Sequence, residues 1–240
     1  MKKLILAILV TALPGFAVAA GGVHLDSAPI DISDHESQAR GATMYVQYCL
    51  GCHSLKFMRY NRLAEDLGLD DEQLKALMIN TDKPGETIQN AMPAKQAEKW
   101  FGTKIPDLSL VARSRGVDWL YTYLRSFYAD PSRPLGVNNL VFKDVGMPHV
   151  LWELQGLKAP VYKTNEHGQE VLDRIEPSLP GQLSEAQYDQ QVADLVNFLD
   201  YVGEPSKLKR QRLGFWVLAF IVIFFGLSYA LKKEYWRDIH

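Results

Sequence analysis

The chain has 240 residues, 47% of them hydrophobic, with 26 Lys and Arg against 28 Asp and Glu for a formal charge of −2. That balance leaves no basic footprint for a nucleic-acid partner. Two cysteines in the whole chain exclude a disulfide scaffold, and residues 21–207, lying between two apolar ends, suffice for one domain with its own core.

The first segment reads MKKLILAILVTALPGFAVAA. Lys2 and Lys3 precede an apolar run, and Ala17-Val18-Ala19 gives a small-x-small cleavage pattern, so residues 1–20 are read as a signal peptide processed just after Ala19 or Ala20. An uncleaved anchor fits less well, because Pro14 and Gly15 interrupt a run already short for a membrane span. Residues 21–207 are then expected in the periplasm of a bacterium.

The stretch SQARGATMYVQYC has helical composition, with Ala42, Val46 and Cys49 spaced for one face. It runs into YCLGCHSL, which holds both cysteines, Cys49 and Cys52, with His53 directly behind. Three chemistries use such a pair. A zinc site needs further Cys or His ligands, but His24, His35, His149, His167 and His240 are scattered singly. A redox dithiol needs the cysteines alone and leaves His53 idle. Covalent haem c attachment uses Cys-x-x-Cys-His, with two thioethers and the histidine as iron ligand, and accounts for every fixed position.

The next helix is expected over DDEQLKALMI, where acidic residues suit the N-terminal end and Leu74, Leu77 and Met78 form the apolar stripe. VDWLYTYLRSFYAD repeats the pattern with Leu120, Tyr123, Leu124 and Phe127. SEAQYDQQVADLVNFLDYVG opens on a capping box of Ser184 and Gln187, buries Tyr188, Val192, Leu195, Val196, Leu199 and Val202, and ends at Gly203. Residues 80–118, 129–149 and 155–183 read as long loops. Loops of that length are excessive in a plain helical domain and reasonable around a cofactor that supplies part of the core.

A second axial ligand decides what a haem does; methionine closes the iron and favours electron transfer. Met44 and Met58 lie too close to the motif, and Met78 belongs to a helix stripe. Met92 and Met147 both sit in loops before a proline. Chemistry alone does not separate them. Gly146 and the apolar Val145, Val150, Leu151 and Trp152 favour Met147, with His149 a rival ligand.

Residues 150–205 carry ten acidic residues against Lys158, Lys163 and Arg174. Such a stretch is either an ordinary solvated surface or a docking field for a basic partner. Residues 213–231 carry no charge and reach about 28 Å as a helix, the thickness of a hydrocarbon core. Trp216, Tyr229 and Trp236 mark its edges. A transmembrane helix is expected over 208–232, with a cytoplasmic tail at 233–240.

Taken together, RGATMYVQYCLGCHSLKFMRYNRL, PDLSLVARSRG, GMPHVLWELQG and the single C-terminal apolar helix resemble, in that order, the cytochrome c1 family. These are the haem c subunits of the respiratory ubiquinol–cytochrome c oxidoreductase, the bc1 complex. The resemblance implies a mostly α, cytochrome c-like haem domain with long loops and one C-terminal transmembrane helix. It implies one haem c on Cys49 and Cys52 with His53 and Met147 as axial ligands, Arg115 at a propionate, Pro106 and Leu108 against the porphyrin, and Tyr60 lining the pocket. It further implies cytochrome b, the Rieske iron–sulfur protein, a cytochrome c acceptor and membrane lipid as partners, and electron transfer with no bond made in a substrate. Three other readings remain: another membrane-anchored monohaem carrier such as a terminal-oxidase subunit, a haem enzyme or sensor with an open iron site, and a tethered thiol oxidoreductase.

Overall fold

The structure is a computed structural model describing residues 23–239; the expected signal peptide lies outside them. In chain order the described residues form α1 (His35–Tyr48), β1 (Leu55–Arg59), α2 (Tyr60–Leu67), α3 (Asp71–Leu77), β2 (Thr87–Ile88), α4 (Ala94–Phe101), α5 (Val111–Arg115) and α6 (Val117–Arg125). There follow β3 (Phe127–Ala129), β4 (Val137–Asn139), α7 (Trp152–Gln155), β5 (Gly156–Thr164), β6 (Glu170–Pro180), α8 (Glu185–Gly203), α9 (Lys207–Tyr235) and a last 3₁₀ turn.

Helices α1, α6 and α8 frame the core. Helix α1 starts where the Asp34 carboxylate accepts a hydrogen bond from the Ser37 amide at 2.8 Å. Helix α8 starts at the expected Ser184–Gln187 capping box, and its six expected core residues are all buried. The two helices cross closely at Gly41, where a Cβ would stand 2.1 Å from the Asp194 carbonyl oxygen. Around that crossing, Asp194 is buried yet satisfied: Ser37 Oγ donates to it at 2.7 Å and Arg40 Nε at 2.7 Å. Helix α6 is tied to α8 by the Tyr188 hydroxyl donating to the Leu124 carbonyl at 2.8 Å, and by Arg125 forking onto Asp189 at 2.6 and 2.8 Å.

The three expected loops hold more order than their composition suggests. Residues 155–183 contain an antiparallel hairpin, β5 against β6, running from Gly156↔Pro180 to Thr164↔Glu170. Its turn is set by Asn165, whose side-chain oxygen accepts from the His167 and Gln169 amides at 2.9 Å each, and by Gly168 at φ 76°. Lysine, glutamate and proline interrupt the strand residues and hide the period. Residues 80–118 contain β2, α4 and α5. The helix expected to run to Asp130 stops at Arg125, because Phe127–Ala129 pairs with Val137–Asn139 instead.

The acidic stretch is largely neutralised. Asp189, Asp194, Asp200 and Glu204 pair with Arg125, Arg40, Lys207 and Arg210, and Asp173 and Glu176 pair with Arg174. Of the ten carboxylates, Glu153, Glu166, Glu170 and Glu185 remain without an ion pair among the described residues. A docking field there is much weaker than the bare count implies.

Helix α9 has 29 residues and no buried one. Its most apolar window has mean hydropathy 2.2, long and apolar enough to cross a membrane.

Candidate functional site

The Cys-x-x-Cys-His segment is a tight turn at the end of α1. The Cys49 amide donates to Tyr45, and the Cys52 and His53 amides fold back onto the Cys49 carbonyl at 3.0 and 2.8 Å. Tyr45 donates its hydroxyl to the His53 carbonyl, and Asn90 donates its side-chain N–H to the Cys52 carbonyl. The Cys49, Cys52 and His53 carbonyls therefore each have a partner.

The imidazole is aimed by a residue 53 positions away. His53 Nδ1 lies 2.8 Å from the Pro106 carbonyl oxygen. A carbonyl only accepts, so Nδ1 carries the hydrogen and Nε2 keeps its lone pair, the arrangement of a metal-ligating histidine. Burial holds the His53 pKa below its usual value, which keeps the ring neutral. Pro106 is itself fixed: the Leu108 amide donates to Ser54 at 2.9 Å, and Asp107 accepts from the Lys56 and Ser109 amides at 3.0 and 2.9 Å. The PDLS run is thus a clasp closed on the residues that follow the motif.

Met147 reaches the same cleft from the loop before α7. Gly146 lets that loop lie against residues 101–103; a Cβ there would come 3.1 Å from Thr103 Cγ2. The Tyr123 hydroxyl donates to Met147 Sδ at 3.4 Å. Tyr123 stacks on Trp119 with ring centres 4.8 Å apart, and the Arg115 guanidinium lies over Trp119 and Phe142 at 5.2 and 5.8 Å. Trp119 and Tyr123, four residues apart on α6, form the middle of this wall, with Arg115 at the end of α5 on one side and Phe127 at the start of β3 on the other.

The space between is two adjoining cavities of about 300 and 410 Å³, which share Cys49, His53, Pro106, Tyr123, Phe142 and Met147. Cys52 borders the first, and Leu108 and Arg115 border the second. Seven of the eight site residues expected from sequence therefore face one cleft. Tyr60 does not: it is the first residue of α2, fully buried in the core away from the cleft. Met92 does not border the cleft either, and Met44 and Met58 are core. His149, the rival ligand, is buried against Phe127, ring on ring at 4.9 Å, and its pKa is held down to about 4 by burial. Sequence reasoning took Tyr123 for core packing; its spacing of four from Trp119 on the same helix was the available signal for its place in the wall.

Burial pushes the Cys49 thiol up to about 12 and the Cys52 thiol upward as well. The attacking thiol of a catalytic dithiol has a lowered value, and neither cysteine shows that activation. They fit haem c: two thiols on one turn, an imidazole with its Nε2 lone pair free, a partly buried thioether and apolar walls.

A helical domain built on such a cleft and carried by one apolar helix is a membrane-anchored c-type cytochrome. The Cytochrome C1 family model matches residues 26–156 and 182–239, and the chain belongs to that family. It is 49% identical over its whole length, and that of the relative, to a cytochrome c1 of Allochromatium vinosum. It is also 49% identical, over 100% of this chain and 99% of the relative, to a protein of Nitrosomonas europaea named ammonia monooxygenase gamma subunit. A cytochrome c1 of Cereibacter sphaeroides is 23% identical over 94% of the chain and 91% of its own length. The stretch the family model skips is the β5–β6 hairpin. Membership makes this a haem-bearing electron-transport subunit of the bc1 complex.

Proposed function

We propose that this chain carries single electrons from the Rieske iron–sulfur protein to a cytochrome c, with cytochrome b beside its membrane helix. Cys49 and Cys52 would hold one haem c through thioethers, with the His53 imidazole and the Met147 thioether as its iron ligands. Bound there, the iron supplies one-electron chemistry between its ferric and ferrous states. The chain's own residues do the rest. The Pro106 carbonyl fixes the His53 ring and its tautomer. Pro106, Leu108 and Val145 exclude water from the cleft, which lowers the reorganisation that electron transfer requires. Arg115, braced by Trp119 and Phe142, presents a cation where a buried carboxylate-bearing ring needs one.

The haem domain, residues 21–207, faces the periplasm after loss of residues 1–20; α9 crosses the inner membrane once and leaves residues 233–240 in the cytoplasm. The observation that carries the reading is the meeting of His53, its Nε2 lone pair free, and Met147 in one apolar cleft. Carbon monoxide tests it. A Met-closed iron in the reduced protein binds little; ready binding supports the open-site enzyme or sensor instead.

A further inference from the structure

A third cavity, of about 390 Å³, lies where the haem domain meets α9. It shares no lining residue with the haem cleft. Charges of both signs line it in two sets. Glu65 and Asp66 come from α2 and Glu204 from just past α8; Lys207, Lys209 and Arg212 come from the first turns of α9. The sets do not neutralise each other. Asp66 is taken by Arg62 at 2.5 Å and by the Tyr201 hydroxyl at 2.9 Å, Lys207 by Asp200 at 2.7 Å, and Glu204 by Arg210. Among the described residues Glu65, Lys209 and Arg212 form no ion pair.

The joint is built rather than loose. The Lys207–Asp200 and Arg210–Glu204 pairs pin α9 to the end of α8. Its depth is also fixed. The uncharged run begins at Leu213, so at 1.5 Å per residue Lys209 and Arg212 stand within about 6 Å of the hydrocarbon boundary. That is where lipid headgroups lie. Lys209 and Arg212, three residues apart, share a side of the helix, with Leu208 and Ile32 as apolar neighbours in the cavity.

We propose that this cavity seats the headgroup of a phosphatidylethanolamine-type lipid. Its phosphate meets Lys209 and Arg212. Its primary ammonium, with three N–H donors, meets Glu65, the wall carboxylate that has no ion pair among the described residues. The acyl chains continue along the apolar surface of α9. A choline headgroup has no N–H to give the carboxylates, and a purely anionic headgroup leaves Glu65 facing a negative charge, so both fit less well.

The test uses the intact complex in nanodiscs that contain phosphatidylethanolamine, phosphatidylcholine and phosphatidylglycerol in equal parts. Lipid that stays bound after delipidating washes is counted by native mass spectrometry. The expected result is one phosphatidylethanolamine retained per chain, in preference to the other two. Glu65→Gln and the double variant Lys209→Gln, Arg212→Gln should each reduce that retention several-fold while leaving the haem spectrum unchanged. Retention without headgroup preference, preference for phosphatidylglycerol, or retention unchanged in both variants overturns the proposal. The wild-type competition needs no variant, so the idea remains testable if a variant fails to assemble. A failed lipid result with an intact haem spectrum leaves the electron-transfer reading untouched.

Discussion

The hydroxyl of Tyr123 donates a hydrogen bond to the sulfur of Met147 at 3.4 Å. Burial raises the Tyr123 pKa, so the hydroxyl remains a donor throughout the physiological range. A thioether has two lone pairs. A hydrogen bond to one draws density from the other, and a poorer donor to iron favours the ferrous state. Tyr123→Phe should therefore lower the reduction potential and leave haem attachment intact. A net hydrogen bond of about 1 kcal/mol limits the one-electron shift to about 40 mV. Redox titration of the purified complex reads it, and an unchanged or raised potential contradicts the coupling.

The ligand assignment has its own discriminating pair. Met147→Leu should lower the potential or open the iron to carbon monoxide while the haem stays covalently bound, because Met147 borders the cleft. Met92→Leu should change neither, since Met92 lies elsewhere. The reverse pattern would falsify the assignment.

Gly41 tests how closely α1 and α8 must approach. A Cβ there would stand 2.1 Å from the Asp194 carbonyl oxygen and 2.7 Å from Phe198 Cβ. Backbone on one side leaves no flexible atom to yield, so Gly41→Ala should cost about 3 kcal/mol of stability. Gly85→Ala meets nothing within 4 Å and serves as the control. Equal melting temperatures for the two variants contradict the packing account.

Ser184 caps α8, accepting from the Gln187 amide at 3.4 Å. Ser184→Ala should destabilise the domain by about 1 kcal/mol, measured by thermal melting of the holoprotein. Ser184→Gly should cost only a few tenths of that. If Ser184→Ala melts at the same temperature as the unsubstituted protein, the cap contributes nothing through its side chain.

What the sequence disclosed follows from how local the information is. The haem-attachment motif is five consecutive positions, and helix α8 carries its cap, stripe and stop in its own residues, so both were readable. The Pro106 carbonyl that orients His53 comes from 53 residues away, and no pattern near the motif announces it. Met92 and Met147 each sit in a loop before a proline and each offer a thioether; only the Tyr123 hydrogen bond and the place of Met147 in the cleft separate them. The β5–β6 hairpin was hidden because its stabilisation comes from cross-strand pairing and from an Asn165 turn, while its strands carry charges and prolines that break the alternation. The acidic stretch left two readings open for a similar reason: a residue count does not see that Asp194 is held by Arg40 or Asp200 by Lys207.

The central claim is covalent: a single haem joined to Cys49 and Cys52. Intact-mass spectrometry of the denatured, purified membrane protein measures it directly. The predicted result is the processed chain plus one haem, with the addition mapped to the peptide containing residues 49–53. A chain whose mass lacks that addition, with both thiols free to alkylate, contradicts the account.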